Sequence, residues 1–174
     1  MNQSDAIALI QCPELETQGA KTWLDLGSGN GTFTLALASL LPPGSVVHAM
    51  DLNLSALNAI PYVLDDVRIE KHHGDFISDP WPEQFDGLLM ANALHFVKDK
   101  QSFLSRAHAS LPPNGIFLLV EYDMDNPNAW VPYPFDFRSA RKAFNDTGFS
   151  SVRKLNERAS AYNRAMMYSA IISK

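Results

Sequence analysis

A chain of 174 residues and 19.3 kDa is the size of one domain, which argues against a separate substrate domain. Apolar residues at 46% and charged ones at 19% describe a globular protein and neither a disordered nor a fibrous one, while 14 Lys and Arg against 19 Asp and Glu argue against broad binding along a phosphate backbone. Cys12 stands alone, so no internal disulfide framework is available; no run approaches the ~18 apolar residues of a membrane span, and the opening MNQSDAIALIQ lacks the basic stretch of a secretory signal, which together point to the cytoplasm.

Short apolar runs alternate with helix-length segments, the pattern of a parallel sheet covered by helices on both faces. In chain order, strands are expected at 23–26, 46–50, 67–70, 85–91 and 116–122, and helices at 32–41, 54–64 and about 100–111. Pro42-Pro43-Gly44 stops the first helix, because proline lacks the helical donor and clashes with the preceding turn. Pro112-Pro113-Asn114-Gly115 turns the chain into the fifth strand. Residues 123–134 (DMDNPNAWVPYP) hold three prolines and two large aromatics and read as an ordered loop. Beyond it, 138–146 reads as a helix closed by Gly148, and 151–155 and 166–172 as two last strands. The expectation is an α/β fold over residues 1–174, a doubly wound, mostly parallel sheet of seven strands, with 123–137 as a candidate lid.

The informative segment is Trp23-Leu24-Asp25-Leu26-Gly27-Ser28-Gly29-Asn30-Gly31-Thr32-Phe33, a strand that runs into a glycine turn and then a helix. An open α/β sheet binds nucleotide-like ligands at such a place, at the carboxyl ends of its strands. A dinucleotide fingerprint counted from Gly27 needs a third glycine at position 32, where Thr32 stands, so the spacing is GxGxG. Asp25 lies two residues before the first glycine. Its charge would repel a pyrophosphate and hold an ammonium, which points away from NAD and toward an adenosine that carries an amino acid. Asp51 ends the second strand 20 residues after Gly31, where a carboxylate can accept hydrogen bonds from both ribose hydroxyls. Gly74-Asp75-Phe76 follows the third strand and offers a carboxylate and an aromatic face to adenine.

At these residues the sequence resembles the class I S-adenosylmethionine-dependent methyltransferases, through WLDLGSGNGTF, HAMDLN, HGDF, FDGLLMANALHFV and LPPNGIFLLVEYD. ANALHFV and WVPYP are similar to small bacterial methyltransferases of the type-11 or type-12 sort, many of unassigned substrate. The resemblance implies a Rossmann-like methyltransferase fold with an antiparallel last strand, S-adenosyl-L-methionine as cofactor and S-adenosyl-L-homocysteine as product; it says little about the acceptor, for which a small molecule is the leading expectation. Carried over by position, it implies that Asp25, Gly27, Ser28, Gly29, Asn30 and Gly31 meet the methionine portion and Asp51 the ribose. Leu52 would pack on adenine, Asp75 and Phe76 would frame it, and Asn92, Ala93 and Leu94 would lie near the methyl donor. Only about 20 residues precede the first strand, so the substrate cap usual in the family looks abbreviated; either the acceptor site is open, or the 123–134 loop covers it, or a second subunit does.

Methyl transfer from a sulfonium needs alignment and a dry site rather than a metal, and no His, Cys and carboxylate cluster with metal-ligand spacing stands out. His95 is the candidate base where the acceptor must lose a proton, with a histidine held in a structural turn as the plainer reading. Tyr122 is a candidate wall or catalytic residue, Glu121 a structural anion, and His72 and His73 read as exposed loop residues. Trp130 and Tyr133, with Phe135, could line an apolar acceptor site or form a cation–π cage, with packing of the loop onto the sheet as the plainer alternative. Residues 138–164 hold Arg138, Arg141, Lys142, Arg153, Lys154, Arg158 and Arg164 against Asp146 and Glu157, a solvated basic face or a lure for an anionic acceptor. Nucleic acid is disfavoured as acceptor, since ANALH replaces the NPPY-like turn of enzymes that methylate base amines. Two alternatives remain at this point: a non-catalytic subunit or sensor that binds the same cofactor, and an NAD(P)-dependent oxidoreductase.

Overall fold

The computed structural model describes residues 1–16, 18–82, 84–160 and 165–174. Among these residues, eight strands form one sheet: β1 (Thr22–Leu26), β2 (Val46–Asp51), β3 (Val63–Leu64), β4 (Val67–His73), β5 (Gly87–Ala91), β6 (Ile116–Tyr122), β7 (Ser151–Ala159) and β8 (Met166–Ser173). Their order is β3-β4-β2-β1-β5-β6-β8-β7. The central pairs β4·β2, β2·β1, β1·β5 and β5·β6 are parallel, and β8 runs antiparallel to both β6 and β7. The sheet is therefore mostly parallel, as expected, with one strand more than predicted.

Helices cover both faces. On one, α4 (Lys100–Ser110) and α5 (Phe137–Asp146) press Phe103, Leu104, Ala107, Ala140 and Phe144 against Leu24, Leu26, Leu88, Met90, Phe117 and Leu119. On the other, α1 (Gln3–Ile10) and α2 (Thr32–Ala38) pack on Trp23, Val47, Leu89, Leu118 and Val120, and α3 (Leu54–Ala59) seals Ala49 and Ile69 with Leu57. A strand covered on both faces has no polar side to keep, which is why β5 reads as a continuous apolar run and the buried part of β1 as one broken only by Asp25. No described helix is long and apolar enough to cross a membrane.

The additional strand comes from the segment expected to be one helix at 54–64. Asn53 caps α3 by accepting the Ala56 N–H, the helix ends before Ile60, and Pro61 cannot continue it. Asp65 and Asp66 then adopt φ of 48° and 62°, the two positive values of a two-residue hairpin turn, and β3 folds back on β4. β4 also runs on to His73, so His72 and His73 belong to a strand and not to a loop.

The N-terminal segment is helical, not merely short. Asn2 caps α1 through its side chain, which accepts the Asp5 N–H, and Ala6, Leu9 and Ile10 are buried. Asn156 on β7 donates to the Ala8 carbonyl at 2.9 Å, and an ion pair at 2.5 Å joins Arg158 to Asp5, so α1 is fastened to the far end of the sheet. The expected basic face is divided: Arg153 pairs with Glu14, Lys154 with Asp123 and Glu157, and Arg158 with Asp5, whereas Arg164 lies outside the described residues.

Candidate functional site

β1 delivers Asp25 into the interior, where the residue is 1% exposed. Thr34, one turn into α2, donates its hydroxyl to Oδ2 at 2.6 Å, while Oδ1 has no hydrogen-bond partner. Burial pushes the Asp25 pKa up to about 7; the Thr34 hydrogen bond opposes the rise, and the charge of Asp51 adds to it.

Between β1 and α2 the chain turns through Gly27, Gly29 and Gly31, all at positive φ. At Gly27 (φ +79°) a Cβ would stand 2.6 Å from that of Ala93, so any side chain collides with the turn behind β5. The Gly27 and Ser28 N–H groups both donate to the Met50 carbonyl, and Gly29 N–H donates to Asp51 Oδ2 at 2.7 Å. Asn53 N–H holds the other oxygen of Asp51 at 2.8 Å. The carboxylate at the end of β2 is thus oriented by backbone donors, and each of its oxygens keeps a lone pair for a ligand.

These groups surround a cavity of about 490 Å³. Asp25, Gly27, Ser28, Gly29, Asn30 and Asp51 border it on the side of the turn, and Ala91, Asn92, Phe96 and Tyr122 follow from the ends of β5 and β6. Asp25 Oδ1, Ser28 Oγ and Asn92 Oδ1 are buried polar atoms without partners, and all three belong to residues bordering this one space. Orphaned polar atoms are costly to keep, so their convergence marks a place built for a polar ligand.

The other predicted residues lie around this space. Gly31, at φ +85°, sits at the start of α2 outside the lining, against Ile60. Leu52 follows Asp51 with its side chain 62% exposed. Asp75 accepts the Ile77 N–H and caps its own turn, while Phe76, Ala93 and Leu94 are buried, Phe76 and Ala93 directly beneath Gly27. His95 is 3% exposed and lies behind the wall: its Nδ1 is 2.8 Å from Glu121 Oε2, and its backbone N–H donates to Oε1 at 3.0 Å. The ring of His95 leans on Phe96 and Tyr122, which do border the cavity. Tyr133 and Trp130 are outside the lining; Tyr133 shares a neighbouring hollow with Phe96, and Trp130 is exposed. Met1 just before α1, Asp5 within it, Arg158 and Ala159 at the end of β7 and Ser160 after it border the wall; spacing along the chain gave no signal for them. Away from the cavity, His48, Glu70 and His72 come together as adjacent strands pair, a cluster that linear spacing does not reveal.

A family described as a methyltransferase domain matches residues 24–117, the stretch from β1 into β6 that contains the glycine turn, Asp51 and the fourth parallel strand. Demethylspheroidene O-methyltransferase of Rhodobacter capsulatus is 28% identical over 111 residues, 62% of this chain and 27% of that protein. An uncharacterised methyltransferase of Mycobacterium tuberculosis is 28% identical over 105 residues, 60% of this chain and 52% of that protein. The chain therefore spans between about a quarter and a half of the length of these curated relatives. Among solved structures, the 1,6-didemethyltoxoflavin-N1-methyltransferase of Burkholderia thailandensis, with bound 1,6-didemethyltoxoflavin and S-adenosylhomocysteine, superposes with a TM-score of 0.70 at 20% identity over 99% of this chain and 77% of its own. At that identity the likeness speaks for the fold.

Proposed function

The chain belongs to the methyltransferase domain family, and from that premise we propose that it transfers a methyl group from S-adenosylmethionine to a small-molecule acceptor. The observation that carries this reading is the partnerless Oδ1 of Asp25, buried beside a cavity of about 490 Å³. Such an oxygen is met by the ammonium of an amino acid through a charge-assisted hydrogen bond, whereas a diphosphate would set anion against anion. That contrast favours an aminoacyl adenosine over NAD(P).

The rest of the cradle fits the same ligand. Gly27 and Gly29 present backbone without side chains, and Ser28 Oγ and Asn92 Oδ1 supply further polar contacts. Asp51, held by the Gly29 and Asn53 N–H groups, accepts the ribose hydroxyls, and the exposed side chain of Leu52 lies next in sequence for adenine to cover. Asp75 and Phe76 act here as support, one capping its turn and the other filling the space under Gly27.

S-adenosylmethionine, when bound, supplies a methyl group on a sulfonium whose leaving group is already activated. The protein's contribution is then orientation and exclusion of water, which in favourable cases lowers a barrier by roughly 7 to 11 kcal/mol. Tyr122 and Phe96 form the wall that aligns the acceptor, and the buried His95–Glu121 pair positions both aromatics from behind. Tyr133, on the far side of Phe96, marks the approach for the acceptor from the 123–137 segment.

Calorimetric titration with S-adenosylmethionine, S-adenosylhomocysteine and NADH tests the assignment. Single-site binding of the first two with no heat from NADH is the expected result, and the reverse pattern overturns it. Release of S-adenosylhomocysteine across an acceptor panel then separates an enzyme from a subunit that only binds.

A further inference from the structure

A second constellation lies on the sheet away from the cavity. In the parallel pair β2·β4, His48 stands opposite Glu70 and Met50 opposite His72, so alternation along the strands puts His48, Glu70 and His72 on one face. That face is covered by α4 and α5 over the middle of the sheet, and residues 74–86, which lead from β4 to β5, contribute no helix among their described residues. The three side chains are accordingly only partly buried.

His48 Nδ1 lies 2.8 Å from His72 Nε2 and 3.4 Å from Glu70 Oε2, and the three atoms fall within 4.8 Å of one another. Arg68 Nε holds the other oxygen of Glu70 at 2.9 Å and aims Oε2 at the histidines. Zinc binds imidazole nitrogen at about 2.0–2.1 Å, so neighbouring ligand atoms of a tetrahedron stand about 3.3 Å apart. The two measured separations bracket that value. Two nitrogens and one carboxylate oxygen form the donor set of a borderline transition metal rather than of calcium or magnesium, which take oxygen ligands.

We propose that His48, Glu70 and His72 form a binding site for a zinc-type divalent ion, with three protein ligands and a fourth position open to water. Without the ion, one imidazole N–H bridges the two rings; on binding, that proton moves to the other nitrogen of its own ring and both lone pairs turn to the metal. Arg68 orients the carboxylate as an outer partner. The ion clamps β2 to β4 just before Asp51 ends its strand, and none of its ligands borders the cofactor cavity.

Calorimetric titration of the tag-free chain with zinc chloride tests this, with or without S-adenosylhomocysteine present, so its outcome is independent of the methyl-transfer reading. One ion per chain is expected. His48→Ala and His72→Ala should each weaken binding by more than the roughly 10- to 100-fold that loss of an outer partner costs. His73→Ala, on the opposite face of β4, should leave it unchanged. Absence of saturable binding, or binding that survives both ligand substitutions, overturns the site. Should an alanine variant fail to fold by circular dichroism, cobalt(II) added to the unaltered chain decides: intense visible bands of four-coordinate geometry support the site, and the weak spectrum of a six-coordinate ion overturns it.

Discussion

Asp25 combines two properties that usually exclude each other, full burial and an oxygen left without a donor. Holding its pKa near 7 means that the ligand-free protein binds a proton there that the unfolded chain releases near pH 4. Because the folded state binds more protons over that interval, this residue makes stability fall as pH rises from about 4 to about 7, by up to on the order of 4 kcal/mol. A ligand ammonium needs the ionised form, so affinity for S-adenosylhomocysteine should rise as pH climbs through about 7 and then level off, a profile read by calorimetry between pH 5.5 and about 8.5. Asp25→Asn keeps an oxygen for Thr34 and removes the charge. It should flatten that profile and weaken binding by roughly 10- to 100-fold, the equivalent of a lost charge-assisted hydrogen bond at about 1.5–3 kcal/mol, without lowering the thermal midpoint of the ligand-free protein. A variant that loses stability and affinity together would mean that Asp25 serves the core instead of the ligand.

Elements differ in how openly the sequence declares them. The central strands β1, β5 and β6 are legible because strands buried on two faces are apolar but for single residues such as Asp25 and Glu121, and the glycine turn is legible because positive φ and the contact of Gly27 with Ala93 admit no other residue. α1 carried its signal too, in the Asn2 cap and the spacing of Ala6, Leu9 and Ile10, but eight residues at the start of a chain rank low beside longer patterns. The β3–β4 hairpin was hidden because Asp65-Asp66 makes its turn where a glycine would ordinarily announce one. Positive φ at both aspartates makes a further test available. Asp66→Gly should stabilise the protein by up to about 1 kcal/mol, seen as a higher urea midpoint with unchanged slope, since the roughly 1–2 kcal/mol of left-handed strain it relieves exceeds the about 0.4–1 kcal/mol that glycine adds to the entropy of the unfolded chain. The buried pairing of His95 with Glu121 could not be read in advance, because register between loop and strand, not spacing, brings them to 2.8 Å.

Over the whole molecule, α1 and the β7–β8 pair meet at the cavity. Asp5 from α1 and Arg158 from β7 border it and pair with each other, while the glycine turn closes the opposite side. The local motif that implies a ligand is therefore written in residues 23–33, and the enclosure that keeps the ligand dry is assembled only by the antiparallel β6–β8–β7 end of the sheet. Ligand binding should couple to global unfolding for that reason. The atoms of Asp25, Ser28 and Asn92 that water satisfies in the unfolded chain lack partners in the folded, empty state, and the ligand restores them. A ligand bound solely by the folded chain stabilises it by about 2.7 kcal/mol at 100 times its dissociation constant. For a chain of this length each kcal/mol moves the midpoint by roughly 2–4 °C. S-adenosylhomocysteine at that excess should thus raise the thermal midpoint by roughly 5–10 °C in differential scanning calorimetry, and Asp25→Asn at the same ligand concentration should lose about half of the shift or more. An equal shift in both proteins would move the binding determinant away from the carboxylate at the end of β1, since the remaining cradle would then hold the ligand unaided.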